Sequence, residues 1–295
     1  MKTNKIILLI ILLFVLLIIG MITFKLCHLN KKLFPCSKEN YYTNDSSDSN
    51  IIEKESLNFI ISAYNDTCGF DIYKPADVQN ISYLNATIDF YGFKTTNKAG
   101  LIYEFNDKII IVFRGTSIRG DELIDADIIY YTYPETNIKV HKGFYKYYLS
   151  IKDQIANIIK NKNKQIYITG HSLGASVALI AAYELKDLNP IVTLFGCPKT
   201  GNKDFVDSFD SFKTLKNIVN YFDIVPEAPE KLNKMYAVKN IYIFGIEQDS
   251  DVKNHSLGVY YSGIDCMQPL NICDSKNISK VGGIIPKTNK LSLLF

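Results

Sequence analysis

One serine of the chain lies in a pattern that could make it a nucleophile. Residues 170–174 read Gly-His-Ser-Leu-Gly, between a strand-like segment (Gln165–Thr169) and an alanine-rich, helix-like segment (Ser172–Lys186). Gly170 and Gly174 lack Cβ atoms, so strand and helix can approach closely and leave the hydroxyl of Ser172 exposed at the start of the helix. The pattern therefore predicts a nucleophilic elbow. The alternative is an ordinary strand-to-helix turn in which the two glycines only make the connection.

A nucleophilic serine needs a base, and the chain contains four histidines. His28 lies beside an apolar N-terminal segment, and His171 adjoins the serine with its side chain expected to point away from the hydroxyl. His141 precedes the serine, whereas enzymes with such an elbow place the acid and then the base after it. His255 remains. It is the first residue of an apolar segment (HSLGVYY) that predicts a short helix. We predict His255 as the base; the alternative is a surface or capping histidine.

The carboxylate that orients the base should lie between the serine and His255. The acidic residues in this interval are Glu184, Asp187, Asp204, Asp207, Asp210, Asp223, Glu227, Glu230, Glu247, Asp249 and Asp251. Most of them fall in helical or loop segments typical of a solvated surface. Asp223 directly follows a buried-looking strand, Asn217–Phe222, and precedes Ile-Val-Pro, which ends the strand. We predict Asp223 as the acid, at the carboxyl edge of the sheet.

The chemistry expected of these residues is acyl transfer. The base takes the hydroxyl proton, Ser172 attacks an ester carbonyl, and the acid fixes the imidazole tautomer. Two backbone N–H groups must stabilise the oxyanion. We predict those of Leu173, directly after the nucleophile, and Thr116, just past the strand-like segment Lys108–Phe113.

The elements that must position these residues alternate between helix and strand. This order predicts an α/β fold with a mostly parallel central sheet flanked by helices. Further predicted elements are helices at Ile51–Tyr64 and Phe144–Lys162, a strand at Ile191–Phe195 and a hairpin at Tyr236–Phe244.

Composition limits the classes of protein to consider. The 295 residues are 47% hydrophobic and 21% charged, which is typical of an ordered globular protein with one large core. The net charge is only +3, and no basic stripe interleaved with aromatic residues follows the N-terminus. Nucleic acid is therefore not an expected partner.

The N-terminus differs from the rest of the chain. Residues 6–24 are an uninterrupted apolar run, long enough to cross a hydrocarbon core of roughly 30 Å. We predict an N-terminal transmembrane helix in residues 1–25, or else a cleaved signal sequence. Residues 26–50, polar from residue 37 onward, read as a tether, residues 51–275 as the catalytic domain and residues 276–295 as a C-terminal tail.

Two observations bear on the compartment. The chain has six cysteines, and Asn-x-Ser/Thr sites begin at Asn44, Asn65, Asn80, Asn85 and Asn277. Both features suit an oxidising, glycosylating compartment. Lysines after the apolar run favour the opposite orientation by the positive-inside rule. We predict a single-pass membrane protein with a luminal or extracellular catalytic domain, secreted if the N-terminal segment is cleaved.

Taken together, five segments and a histidine resemble the class 3 lipase family, the fungal triacylglycerol lipase type. The segments are Val112–Thr116, Val140–Phe144, Gly170–Gly174, Leu194–Asn202 and Val219–Pro226, followed by His255. The resemblance implies an α/β-hydrolase fold, a lipid ester substrate, the triad Ser172, Asp223 and His255, and the oxyanion donors Thr116 and Leu173. It implies no cofactor, no metal and no protein partner.

The same resemblance implies a disulfide between Cys68 and Cys266. Cys197 reads as a buried free thiol. The resemblance assigns no role to Cys27, Cys36 or Cys273.

The segment that corresponds to the lid of such lipases, residues 117–127, departs from the family pattern. It contains no aromatic residue and four acidic ones, with a small apolar patch from Ile118, Leu123 and Ile124. The preference for triacylglycerol over other acylglycerols, phospholipids or soluble esters therefore stays open. Alternatives of another kind are a membrane-tethered, lipase-like binding protein without activity, and a protease or thioesterase on the same elbow.

Overall fold

The computed structural model describes residues 50–90, 93–115, 130–212, 214–228 and 234–269. The elbow sequence begins at the end of a strand in an eight-stranded sheet. Side chains are not described for residues 51, 88–90, 93–95, 266, 268 and 269. The strands are β1 (Asn80–Phe90), β2 (Phe93–Glu104), β3 (Lys108–Phe113), β4 (Tyr130–Thr132), β5 (Lys139–His141), β6 (Gln165–His171), β7 (Ile191–Phe195), β8 (Leu215–Asn220), β9 (Ile241–Phe244) and β10 (Gln268–Pro269). The α-helices are α1 (Ile51–Thr67), α2 (Lys142–Ile159), α3 (Leu173–Glu184), α4 (Lys203–Asp207), α5 (Asp251–Asn254) and α6 (Leu257–Gly263).

The sheet is mostly parallel, as the alternation of helices and strands predicts. Its strand order is β1-β2-β3-β6-β7-β8-β9-β10. The five neighbours from β3 to β9 run parallel, whereas β1, β2 and β10 pair antiparallel at the two ends. Strands β4 and β5 form a separate antiparallel pair.

The register of the parallel strands brings their carboxyl ends to one edge of the sheet. Phe113 of β3 pairs with Gly170 of β6, and His171 at the end of β6 pairs with Phe195 at the end of β7. Phe195 in turn pairs with Ile218 of β8. The residues that follow these strands therefore meet at this edge, where ligands bind in open α/β sheets.

Helices cover both faces of the sheet, which explains why its central strands are continuously apolar. In β3, Ile109, Ile111 and Phe113 face one core with residues of α2 and α3. Ile110 and Val112 alternate to the other face and pack with residues of α1 and α6. The helix predicted at Phe144–Lys162 corresponds to α2, and five of its residues are buried in the core.

The predicted hairpin at Tyr236–Phe244 is wrong. Within the described residues, Tyr236 makes an isolated bridge to Gly201, and only Ile241–Phe244 forms a strand. This strand, β9, pairs in parallel with β8 and antiparallel with β10. Its partners lie far away in sequence, so local turn residues could not reveal them.

Strands β1 and β2 form a long antiparallel pair that the sequence did not indicate. A register shift between Leu84 and Asn85 interrupts their pairing. Such a bulge moves the side chains beyond it to the opposite face and so breaks the period of two.

Several predictions concern residues outside the described ranges. They are the N-terminal helix in residues 1–25, most of the tether in residues 26–50 and the tail in residues 276–295. In the described part of the chain, no helix combines the length and apolarity needed to span a bilayer.

Candidate active site

Ser172 sits at the sharp turn between β6 and α3 in a strained backbone conformation. Its φ is 60° and its ψ is −133°, and its side chain makes no capping hydrogen bond to the helix. Its N–H donates to the carbonyl oxygen of Phe195 at 3.0 Å, which ties the turn to the end of β7. A non-glycine residue at such a φ typically costs about 1–3 kcal/mol and is concentrated at functional sites.

The two glycines of the elbow are required by close backbone approaches. A Cβ on Gly170 would lie 2.3 Å from the carbonyl oxygen of Gly174. A Cβ on Gly174 would lie 2.4 Å from the carbonyl oxygen of Arg114, just after β3. The turn can therefore form only because both side chains are absent.

His255 and Asp223 form a close hydrogen-bonded pair at the same edge. His255 Nδ1 and Asp223 Oδ2 are 2.5 Å apart. Since a carboxylate only accepts, Nδ1 carries the proton, and the Nε2 atom of a neutral ring is left as an acceptor. This Nε2 atom is buried and has no hydrogen-bond partner among the described residues. It is available to receive a proton.

Two further donors hold the carboxylate of Asp223. The hydroxyl of Tyr260 donates to Oδ2 at 2.6 Å, and the N–H of Val225 donates to Oδ1 at 2.9 Å. Burial, and then the charge of Asp223, raise the pKa of Tyr260 well above its usual value, so the phenol keeps its proton and remains a donor. The side chain of Asp223 is fully buried, and such charges need several hydrogen bonds.

Gly196 lies between the serine and the acid–base pair. It follows Phe195, the residue that accepts the hydrogen bond from Ser172, and its φ is +56°. A Cβ there would come within 2.9 Å of His255 Cε1 and 3.1 Å of Asp223 Oδ2. The end of β7 thus passes directly beneath the pair.

A second histidine, which the sequence did not single out for a role, connects the elbow to the base. The ring of His171 stacks on that of His255, with centroids 4.4 Å apart. His171 Nε2 lies 3.0 Å from the carbonyl oxygen of His255, and Nδ1 lies 3.0 Å from the hydroxyl of Tyr64. Burial, and then His255, lower the pKa of His171 well below its usual value, so the ring is neutral.

Of the two predicted oxyanion donors, one lies in the described part of the chain. Leu173 is the first residue of α3, and the first N–H groups of a helix have no partner within it. Thr116 lies outside the described residues. Its neighbour Gly115 is close to the nucleophile, because a Cβ on Gly115 would lie 2.8 Å from Ser172 Cβ.

A buried asparagine fixes the loop that carries the base. Asn220 ends β8, three residues before Asp223, and its amide donates to the carbonyl oxygens of Ile246 and Asn254 at 2.9 and 3.0 Å. Its Oδ1 accepts from the N–H of Ile246 at 3.0 Å. Asn220 lies in the segment Val219–Pro226 that resembles the lipase family, but the resemblance assigned it no role. For Tyr260 the sequence signal is a tyrosine five residues after His255 in an apolar helix.

The cysteines follow a different pattern of evidence. Cys68 is disulfide-bonded. The side chain of Cys266 is not described, so the Cys68–Cys266 pair remains a prediction. Cys197 is free and buried, as expected, and burial raises the pKa of its thiol to about 12, which makes it unreactive. Cys27, Cys36 and Cys273 lie outside the described residues.

The strained serine between a parallel strand and a helix defines an α/β-hydrolase elbow, and a solved structure has the same fold. The Rhizomucor miehei lipase–propeptide complex aligns with a TM-score of 0.54 at 21% identity, over 80% of this chain and 87% of that one. Residues 110–233 match the family model described as Lipase (class 3), so this part of the chain is similar to that family.

Two curated relatives are similar in sequence. A secreted mono- and diacylglycerol lipase 2 from Gibberella zeae is 32% identical over 130 residues, which cover 34% of this chain and 32% of the relative. A lipase from Rhizomucor miehei is 29% identical over 155 residues, which cover 45% of this chain and 42% of the relative. The chain thus spans less than half the length of these relatives.

Proposed function

We propose that the protein is a serine carboxylic-ester hydrolase that acts on lipid esters through Ser172, His255 and Asp223. The observation that carries this proposal is the strained serine at the same sheet edge as a hydrogen-bonded His–Asp pair, whose Nε2 has no hydrogen-bond partner among the described residues. The match of residues 110–233 to the class 3 lipase family model supports the substrate class.

The proposed reaction is acyl transfer through an acyl-enzyme. His255 Nε2 takes the proton of the Ser172 hydroxyl as Oγ forms a bond to the ester carbonyl carbon. The oxyanion accepts hydrogen bonds from the N–H groups of Leu173 and Thr116. The protonated imidazole, stabilised by Asp223, then gives its proton to the leaving alcohol oxygen as the ester C–O bond breaks. Water hydrolyses the acyl-enzyme by the same route and restores the serine.

Acylglycerols are the substrates we propose, in the manner of a triacylglycerol lipase. Curated relatives bear the names of a lipase and of a mono- and diacylglycerol lipase. The segment 117–127, which lies outside the described residues, contains four acidic residues and the apolar residues Ile118, Leu123 and Ile124. A panel of tri-, di- and monoacylglycerols, a phospholipid and a soluble ester will define the preference.

The decisive test compares the unaltered protein with Ser172→Ala on this panel. We expect Ser172→Ala to lose at least about 10³-fold in kcat, since triad nucleophiles in serine hydrolases contribute more than that. A fluorophosphonate should label the unaltered protein and not the variant. Equal turnover of both proteins, or labelling that survives the substitution, would refute the assignment.

We further propose that residues 6–24 anchor the protein in a membrane and that the catalytic domain lies in the lumen or outside the cell. The uninterrupted apolar run supports the anchor. The bonded state of Cys68 and the exposure of Asn80 and Asn85, each in an Asn-x-Ser/Thr site, support an oxidising, glycosylating compartment.

Glycan mapping in sealed microsomes tests this topology. Asn80 and Asn85 are exposed, whereas Asn65 is completely buried. We therefore expect an endoglycosidase-sensitive mass that Asn80→Gln together with Asn85→Gln reduces and that Asn65→Gln leaves unchanged. We also expect protection from added protease. Complete digestion from the cytoplasmic side would contradict the luminal location.

A further inference from the structure

A hydrogen-bonded chain connects three parts of the site that are far apart in sequence. The N–H of Gly115, next to the predicted oxyanion residue, donates to the hydroxyl of Tyr64 at 2.9 Å. The same hydroxyl lies 3.0 Å from His171 Nδ1, and His171 Nε2 lies 3.0 Å from the carbonyl oxygen of His255. One tyrosine near the end of α1 and one buried histidine thus join the turn after β3, the elbow and the loop of the base.

The direction of each hydrogen bond follows from the chemistry of its atoms. A carbonyl oxygen only accepts, so His171 Nε2 must carry the proton. In a neutral ring Nδ1 is then an acceptor, so the hydroxyl of Tyr64 donates to it and keeps a lone pair for the N–H of Gly115. Burial and His255 lower the pKa of His171, which favours this neutral form. Each of these three hydrogen bonds therefore joins one donor to one acceptor.

Close packing leaves these groups little freedom to move. His171 is 4% exposed; its ring stacks on that of His255 and makes a T-shaped contact with the ring of Tyr260, with centroids 5.7 Å apart. A Cβ on Gly115 would lie 2.3 Å from the hydroxyl of Tyr64, so this glycine is needed for their contact. A displacement of Tyr64 would therefore also shift Gly115 and, through His171, His255.

We propose that Tyr64 and His171, the Tyr64–His171 relay, are positioning residues that hold the oxyanion turn and the catalytic histidine in register with Ser172. The inference rests on the proposed function. Neither residue touches the reacting atoms in this role. The relay fixes the backbone of Gly115, which determines the direction of the next N–H group. It also fixes the backbone of His255, which determines the position of its ring relative to Ser172.

Tyr64→Phe tests the relay, because it removes the hydroxyl and keeps the ring. With a soluble p-nitrophenyl ester we expect kcat to fall about fivefold. A fall of this size means that the loss of positioning raises the barrier by about as much as one ordinary hydrogen bond contributes. KM should stay within about twofold, since the substrate-binding surface is unchanged. The rate of labelling by a fluorophosphonate should fall in parallel with kcat.

Tyr103→Phe is the matched control. Tyr103 is a completely buried tyrosine whose hydroxyl bonds to a residue of α1, Ser62, at 2.6 Å, and its position in β2 pairs with Ile110, in the middle of β3. Tyr64→Phe loses the hydrogen bonds to Gly115 and His171, and Tyr103→Phe loses the one to Ser62, so thermal unfolding should show destabilisation of both variants. Only Tyr64→Phe should lower kcat.

His171→Phe completes the test, because it keeps a stacked ring and removes both hydrogen bonds. We expect a fall in kcat at least as large as that of Tyr64→Phe, and an effect of the double substitution smaller than the product of the two. A Tyr64→Phe protein with the kcat of Tyr103→Phe, or fully multiplicative effects, would refute the relay. Absence of turnover by the unaltered protein would instead refute the proposed function, and the positioning role with it.

Discussion

At the scale of single residues, the site is organised around what each atom must donate or accept. Asp223 accepts from His255, Tyr260 and the N–H of Val225, which determines the tautomer of the base. The sequence led to the proposal of Ser172, Asp223 and His255, because an elbow, a strand end and the small number of histidines can be read from it directly. It could not predict Tyr260, because its contact with Asp223 depends on how the helix after the base packs on the sheet.

Tyr260→Phe should weaken catalysis without abolishing it. The substitution removes one of the two donors to Asp223 Oδ2, so the carboxylate is held and stabilised less well. We expect kcat/KM to fall about three- to tenfold, which corresponds to a loss of about 1 kcal/mol, the size of one ordinary hydrogen bond, since His255 and Val225 still hold the carboxylate. Steady-state kinetics with a soluble ester will measure the effect.

Tyr261→Phe, one residue further along the same helix, is the control for this prediction. Its ring lies against the ammonium group of Lys54, with Nζ 5.5 Å from the ring centroid. We expect its kcat/KM to remain close to that of the unaltered protein. Equal effects of the two substitutions would show that the hydroxyl of Tyr260 is not needed to hold the acid.

At the scale of elements, short polar contacts fix the ends of helices and strands that carry the site. His141 caps α2, with Nδ1 accepting from the N–H groups of Gly143 and Phe144 at 3.1 and 3.3 Å. Asn220 joins the end of β8 to the loop before His255. The sequence indicated α2 and β8 themselves through their apolar patterns. It did not indicate these contacts, because a histidine or an asparagine reads as loop or surface until its neighbours are known.

His141→Asn should remove part of the acid sensitivity of the fold. Burial lowers the pKa of His141 to about 4, against about 6.5 for an unfolded histidine. Between these values the unfolded chain binds the proton, so stability is present above pH 6.5 and is lost as the pH falls, by up to about 3 kcal/mol near pH 4. Asparagine is a good cap that does not titrate.

Urea unfolding at pH 7 and pH 4.5 measures this effect. The two proteins share all their other titrating groups, so the difference between their pH slopes isolates His141. We expect a smaller loss of stability for His141→Asn, whatever its stability at pH 7. Identical slopes would contradict a neutral, buried cap.

Asn220→Ala should loosen the base while leaving the serine in place. It leaves the N–H of Ile246 and two carbonyl groups without their partner, at about 1–3 kcal/mol for each buried group. We expect lower kcat together with a lower unfolding midpoint. Limited proteolysis should cut the loop 245–254 faster in the variant.

Asn217→Ala is the control on the same strand. Asn217 is 1% exposed, and its Oδ1 has no hydrogen-bond partner within the described residues. We expect little change in kcat and in cleavage of the loop. Similar behaviour of the two variants would show that the loop is held by other contacts.

At the scale of the whole molecule, the site depends on elements from most of the described chain. Residues near positions 64, 115, 172, 223 and 255 meet at one edge because β3, β6, β7 and β8 are parallel. The alternation of helix and strand predicted this sheet. The antiparallel β1–β2 pair and the partners of β9 were not predictable, since a bulge hides the first pattern and distant pairing decides the second.

Removal of α1 should unfold the domain. Leu57, Phe59, Ile60 and Ile61 are at most 1% exposed and form a large part of the core on one face of the sheet. Deleting such side chains costs about 2–5 kcal/mol each, which together is comparable to the net stability of a domain. We expect a chain that begins at Phe70 to lack a cooperative thermal transition.

The matched comparison is a chain that begins at Asn50 and keeps α1 intact. It should show a single transition and hydrolyse the soluble ester. A folded, active chain from Phe70 onward would show that the second face of the sheet needs no helix from the N-terminal side.

The φ of 60° at Ser172 also implies that the serine lowers the stability of the fold in exchange for the proposed activity. Glycine adopts this conformation without strain, and the serine side chain gives the helix no cap that glycine would lose. Ser172→Gly should therefore melt at a higher temperature than the unaltered protein while hydrolysing nothing. For a protein that only bound its ligand, the sturdier residue would bring no penalty. The proposed catalysis therefore explains why a serine, and not a glycine, occupies this strained position.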